Sequence, residues 1–276
     1  MKPLTILIPA GVKSLLRRML YFPGDLLDGM LGRRDAYTPP KGIMFIGKND
    51  FKKVGEEFCG YLIDLGHLKP DGHILDVGCG LGRMAVPLIG YLNDRGRFEG
   101  FDVVRSGITW ATRAITARHP NFRFQVADLY NKFYNPKGKT FSHEYVFPYA
   151  DASFDVVFLG SVFTHMLPRD VEHFLDEITR VLKPGGTALI TFFLLNQESR
   201  ALLSQGRSSQ NFVHPLEMCL TVSADKPEAA ISYPEEHVRA LYAARGLSIV
   251  EPVRYGSWCG RSAYLSYQDI VLATKP

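Results

Sequence analysis

Cysteine is scarce in this 276-residue chain, which holds four: Cys59, Cys79, Cys219 and Cys259. They stand far apart, with no C-x-x-C pair and no Cys/His metal spacing. That argues against a disulfide framework or a zinc site and favours a reduced, cytoplasmic setting. No apolar run approaches the roughly 18–20 residues that span a bilayer. Met1–Ala10 is broken by Pro3 and Pro9 and lacks the small-residue cleavage pattern of a signal peptide. A strong charge imbalance is also missing over most of the length. Formal net charge is +4, yet residues 1–53 alone hold ten Lys/Arg against four acids, so the remainder carries a net of −2. That is not the balance of a nucleic-acid binder, and no nucleic-acid partner is expected.

With 46% hydrophobic and 22% charged residues, the composition is that of a globular domain with an ample core. Residues 1–50 differ in texture and read as a helical extension or lid. Helical spacing puts Leu15, Leu16, Met19 and Leu20 on one face beside Lys13, Arg17 and Arg18. Two readings stand: a helix packed on its own domain, or an interfacial helix making peripheral membrane contact through residues 1–32. The body, residues 51–276, alternates helix and strand. Helices are predicted at 51–66, 81–93, 106–118, 169–182 and 234–245, with strands at 73–77, 97–103, 122–127, 154–160, 187–194, 247–255 and 267–274. Near-continuous apolar strands separated by helices imply an α/β, doubly wound, mostly parallel sheet covered on both faces. Residues 196–233 are Ser/Gln/Asn-rich and poorly periodic, and read as an insertion over one edge of that sheet.

The most informative stretch is Ile74-Leu75-Asp76-Val77-Gly78-Cys79-Gly80-Leu81-Gly82-Arg83. An apolar strand runs straight into alternating glycines and then a helix. The backbone can turn tightly there, and a ligand can reach main-chain N–H groups without meeting a Cβ. Glycines alone would also suit a nicotinamide dinucleotide. A carboxylate inside the strand is a poor neighbour for a pyrophosphate, because like charges repel in a low-dielectric crevice.

Asp76 with the G-x-G-x-G spacing resembles the first motif of the class I S-adenosylmethionine-dependent methyltransferases. Further markers agree: Phe101-Asp102-Val103 and Val126-Ala127-Asp128-Leu129 at the next two strand ends, Phe147 to Asp155 before the fourth strand, and Leu182-Lys183-Pro184-Gly185-Gly186 as a turn before the fifth. The resemblance implies a seven-stranded sheet with a reversed final strand, and S-adenosyl-L-methionine as cofactor. It implies Asp76 near the methionyl ammonium and Gly78, Cys79, Gly80, Gly82 and Arg83 as the turn that cradles the ligand. Asp102 and Val103 would lie at the ribose, Asp128 and Leu129 at the adenine, and Ser161 and Val162 on the cofactor side of the fourth strand end.

The acceptor is approached by exclusion. The fourth strand ends in Gly160-Ser161-Val162-Phe163 rather than an Asn/Asp-Pro-Pro-aromatic tetrapeptide, no Pro-Cys pair exists, and no acid cluster for magnesium is evident. A metal-independent methyltransferase of a small molecule is expected, with O-methylation of a sugar or natural-product hydroxyl ahead of N- or S-methylation. Aromatic and polar residues placed as pocket walls are Tyr37, Tyr134, Phe163, Phe212 and His214. His165, in Ser161-Val162-Phe163-Thr164-His165, is the candidate general base, with a scaffold role as the alternative. Two other classes stay open: a nicotinamide-dependent oxidoreductase, and a catalytically silent cofactor-binding adaptor.

Overall fold

The computed structural model describes residues 10–45, 50–132 and 134–276, with side chains from Leu16 onward. The stretch with Pro3 and Pro9 therefore lies outside the described residues, as do Lys48 and Phe133. The described residues begin with α1 (Ala10–Met30) and a short helical turn at Lys41–Ile43, then α2 (Phe51–Asp64), whose N-terminus is capped by the Asp50 carboxylate accepting from the Lys52 and Lys53 amides. β1 (His73–Val77), α3 (Ala85–Leu88), β2 (Arg97–Asp102), α4 (Arg105–Ala111), β3 (Phe122–Val126), β4 (Phe154–Leu159), α5 (Pro168–Val181) and β5 (Leu182–Phe192) follow. After these come β6 (Leu194–Leu195), α6 (Gln197–Ser204), β7 (His214–Leu216), β8 (Cys219–Thr221), β9 (Ile231–Pro234), α7 (Glu235–Ala244), β10 (Ser248–Ile249) and β11 (Asp269–Thr274).

Seven strands form one sheet in the order β10-β11-β5-β4-β1-β2-β3. The β5-β4-β1-β2-β3 run is parallel and β11 is antiparallel to β5, so the mostly parallel sheet with a reversed last strand is present. Its central strands β1, β4 and β5 are mostly apolar because both faces are covered, whereas β3, at the edge, alternates buried and exposed residues. One face packs Leu75, Val77, Val157 and Ile190 under α5 and α7; the other packs Ile74, Phe98, Val156 and Leu189 under α2, α3 and α4. In α5, Val171, Phe174, Leu175, Ile178 and Val181 repeat at three and four residues and are all buried, while Pro168 starts the helix where a missing N–H costs nothing.

Four local differences from the sequence reading have physical reasons. The helix expected at 81–93 is confined to Ala85–Leu88, because Leu81–Met84 are spent on the turn that three positive-φ glycines create (Gly78, Gly80 and Gly82). Residues 112–116 continue α4 as a wider helical turn rather than as α-helix. Pro184-Gly185-Gly186 does not reverse the chain before the fifth strand. It bulges within β5, between the Phe154–Leu182 and Val156–Thr187 pairings, with Gly185 at φ 76° donating its N–H to the Lys275 carbonyl. Finally, the 196–233 insertion holds α6 and two three-residue strands in a second sheet, β6-β9-β8-β7. It packs at the ends of the strands: the Tyr233 ring meets Phe192 at the end of β5, its hydroxyl donates to the Met166 carbonyl beyond β4, and Gln210 reaches Tyr267 before β11.

Candidate cofactor and acceptor site

The cleft opens beyond the ends of β1, β2 and β4, where strand order reverses direction from β1 and a crevice is expected in such sheets. Its volume is about 450 Å³. Where β1 gives way to the glycine turn, the Gly78 and Cys79 amides donate to the Phe101 carbonyl at 2.9 and 3.1 Å, which draws the turn against β2. Asp102, closing β2, accepts from the Gly80 amide through Oδ2 at 2.9 Å and from the Val104 amide through Oδ1 at 2.7 Å. A Cβ on Gly78 would lie 2.5 Å from Val162 Cγ2, and one on Gly107 2.5 Å from the Gly80 carbonyl oxygen. Both glycines are thus required by close approach.

Asp76 is 2% exposed, and its Oδ2 has no hydrogen-bond partner. Burial, joined by repulsion from Asp102 and opposed by Arg83, pushes its carboxyl up to about 8. An acid buried this way, on the cleft wall with one oxygen unanswered, is a socket for a cationic donor. Burial also raises Asp102, while the Val104, Gly80 and Val103 amides oppose the shift. Burial drives the Cys79 thiol well above its ordinary value, so it is no nucleophile. Among the described residues no group of three His, Cys, Asp or Glu side chains could hold a metal ion, and all four cysteines are buried free thiols.

The cleft lining brings together Asp76, Gly78, Cys79, Gly80, Arg83, Asp102, Val103, Leu129, Tyr134, Ser161, Val162 and His165. Gly82 lies behind it, where a Cβ would press on Ile115 and Phe124, so its task is packing. Asp128 is outside the lining and exposed; its backbone carbonyl takes the Lys139 and Thr140 amides, and the neighbouring Leu129, Tyr130 and Asn131 reach the cleft instead.

Four expected pocket residues are elsewhere. Phe163 is fully buried against Phe192 in the core. Phe212 packs on Phe193 and Trp258 under the insertion. His214 opens β7, away from the lining. Tyr37 hydrogen-bonds His119 at 2.8 Å and packs on the far side of the glycine turn's supporting core. Phe45 and Phe58 do line the cleft, and Phe45 sits 6.1 Å from the Tyr134 ring, centroid to centroid. Phe45 falls in the segment read as a lid, while nothing local in the sequence marks Phe58, an apolar position of α2.

The wall of the cleft beyond β4 is built by a short helical turn at Phe163–His165. His165 Nδ1 is 2.9 Å from the Glu228 carbonyl oxygen. A carbonyl only accepts, so Nδ1 carries the hydrogen, and in the neutral ring Nε2 keeps its lone pair. Just before this turn Ser161 stands at φ 59°. Its amide donates to Thr191 Oγ1 at 2.8 Å, and the Ser161 and Thr191 hydroxyls both donate to Gln268 Oε1, at 2.9 and 2.7 Å. This network, spanning β4, β5 and the approach to β11, holds an unfavourable backbone conformation at the cleft wall.

Residues 74–186 match a family model described as a methyltransferase domain. Among curated proteins, the chain is 30% identical over 125 residues to the tRNA N(3)-cytidine methyltransferase METTL2 of Gallus gallus, covering 42% of this chain and 29% of that protein. It is also 30% identical over 128 residues to the 27-O-demethylrifamycin SV methyltransferase of Amycolatopsis mediterranei, covering 46% of this chain and 41% of that one. The chain thus spans less than half the length of these relatives. Among solved structures, a Pyrococcus horikoshii protein superposes with a TM-score of 0.56 at 18% identity, over 85% of this chain and 95% of that one. A SAM-dependent methyltransferase from Methanosarcina mazei gives 0.53 at 21% identity, over 78% and 97%. At such identities these two show a shared fold.

Proposed function

We propose that this chain, whose residues 74–186 form a domain of the class I S-adenosylmethionine-dependent methyltransferase family, transfers a methyl group to a hydroxyl of a small molecule with His165 as general base. The cofactor half rests on the buried, unpartnered Asp76 Oδ2 and the glycine cradle, which fit an ammonium-bearing nucleoside. Asp76 would hold the methionyl ammonium, Asp102 the ribose hydroxyls and the Leu129–Asn131 segment the adenine. Bound there, S-adenosylmethionine supplies a methyl on a sulfonium, which an acceptor oxygen displaces in line.

The single observation that carries the acceptor half is the Nδ1-to-Glu228 hydrogen bond. It holds a cleft-lining imidazole in the tautomer whose Nε2 can take the acceptor's proton as the new O–CH3 bond forms. Phe45, Phe58 and Tyr134 supply apolar and aromatic walls that exclude water around the departing positive charge. A hydroxylated natural product suits this surround, and the likeness to a 27-O-demethylrifamycin SV methyltransferase supports that acceptor class. The likeness to a tRNA cytidine methyltransferase favours a base nitrogen instead, so tRNA belongs among the acceptors tried.

With labelled cofactor and a panel of sugars, phenols, macrolactone alcohols, amines, thiols and tRNA, transfer to hydroxyls is expected. His165→Ala should lower kcat by about 10²–10⁴-fold with cofactor affinity retained. Label found solely on nitrogen, sulfur or tRNA, or a His165→Ala enzyme of near-normal turnover, rejects the reading.

A further inference from the structure

Helix α1 is amphipathic, and it faces the wrong way for a helix of a closed globule. Leu16, Met19, Leu20, Leu26, Leu27 and Met30 recur at steps of three, four and seven residues, which places them on one stripe. That stripe is in solvent: Met19, Leu20 and Met30 are 66%, 74% and 77% exposed. The face turned toward the protein is the polar one. Asp25 accepts from the Lys41 and Gly42 amides, both at 2.8 Å, and a Cβ on Gly42 would lie 3.2 Å from the Arg18 Cα. Tyr21, Phe22 and Leu31 add further exposed apolar surface. Isolated exposed leucines are ordinary, but a helix-long stripe of them marks a contact surface.

Charge identifies the occupant. Both acids of α1 are already engaged, Asp25 with Arg34 at 3.5 Å and Asp28 with Lys41 at 3.2 Å. Arg17, whose Nε donates to the Lys41 carbonyl at 3.2 Å, and Arg33, just past the helix, are exposed and have no acidic partner among the described residues; Arg18, also exposed and without one, is on the face toward Gly42. An apolar stripe on a helix whose polar side carries unneutralised arginines matches a lipid surface bearing negative headgroups: the apolar side chains enter the acyl boundary and the long arginine side chains reach up to phosphate. No described helix is long and apolar enough to cross a membrane, so α1 would lie in the plane of the interface. The tethering turn at Lys41–Ile43 leads within two residues to Phe45 on the cleft wall.

We propose that α1 docks the protein on anionic lipid bilayers through its Leu16–Met30 stripe. This does not depend on the acceptor reading above. The test is co-sedimentation of the full chain with vesicles of phosphatidylcholine alone or mixed with phosphatidylglycerol. Binding to the mixed vesicles is expected to exceed binding to neutral ones by about tenfold, to weaken with added salt, and to fall at least as far in a Leu20→Glu, Leu27→Glu double variant. S-adenosylhomocysteine affinity of that variant reports that the body is intact. The proposal is overturned if the chain ignores mixed vesicles or if the double variant binds them equally. It is also overturned if the variant's effect in sedimentation velocity is to split a dimer while vesicles stay unbound, which would make the stripe an interface with a second copy.

Discussion

Asp76 carries the clearest consequence at the scale of single residues. Its carboxyl is raised from 3.8 to about 8, so the folded chain keeps a proton there that the unfolded chain gives up near pH 4. Between those values the folded state binds more protons at this site, and its contribution to stability falls as pH rises. A cationic ammonium beside Oδ2 favours the ionised form. Binding S-adenosylhomocysteine near neutral pH should therefore expel a proton, and affinity should climb with pH by up to roughly tenfold per unit until about pH 8. Calorimetry in buffers of different ionisation heat measures the release; Asp76→Asn should abolish it, and an unchanged release in that variant would assign the proton elsewhere. This residue was legible beforehand because its chemistry is local: an acid in an apolar strand, two positions before a glycine turn. Phe163 and His165 were not separable that way. They are two apart in one short turn, and only tertiary packing decides that the phenyl enters the core against Phe192 while the imidazole meets Glu228 in the cleft.

Among the elements, β1 and β4 were legible because each is a short run buried on both faces, bounded by turn residues, and β3 because its buried and exposed residues alternate; β1 spans the very residues expected. The insertion was not, since β7 and β8 have three residues each and cannot display a period of two. Nor could sequence show what joins it to the sheet. Asp269, fully buried at the start of β11, accepts from the Leu194 amide and Trp258 Nε1 through Oδ2, both at 2.7 Å, and from the Gly256 amide and Arg261 Nη1 through Oδ1, at 2.7 and 3.2 Å. It thereby pins β6, the 256–261 loop and the main sheet to one point. Asp269→Ala would leave the Leu194 and Gly256 amides and the Trp258 indole N–H without their acceptor and take from the buried Arg261 guanidinium its buried acid, with Glu198 and Asn196 as its remaining partners. A loss of about 3–5 kcal/mol is expected in urea unfolding, and a midpoint shift equivalent to less than about 1 kcal/mol would show that the junction is held by packing alone. Because Asn196, Glu198 and Glu235 share this cluster through Arg261 and Tyr255, the loss should spread to the insertion that carries Glu228 and so to the orientation of His165.

For the whole molecule, alternation of strands and helices foretold the doubly wound layout, since parallel neighbours require helical crossovers that cover both faces. The outward stripe of α1 was only one of two readings, because periodicity marks an apolar face without saying what it meets. The same limit applies to the cleft, whose walls come from residues as distant in sequence as Phe45, Asp76, Tyr134 and His165. Such a site, assembled only in the folded chain, couples ligand to global stability. A ligand that binds the native state alone, at a hundred times its Kd, adds about 2.7 kcal/mol, and for a chain of this size that raises Tm by roughly 5 °C or more. S-adenosylhomocysteine should give this shift and Asp76→Asn should diminish it. A nicotinamide dinucleotide offers no ammonium to Asp76, and above about pH 8, where that carboxyl is ionised, its pyrophosphate would meet a like charge, so it should give a much smaller shift there. Scanning calorimetry with each ligand separates the two cofactor classes, and equal stabilisation by the dinucleotide would mean that the acids of this cleft do not select the cation.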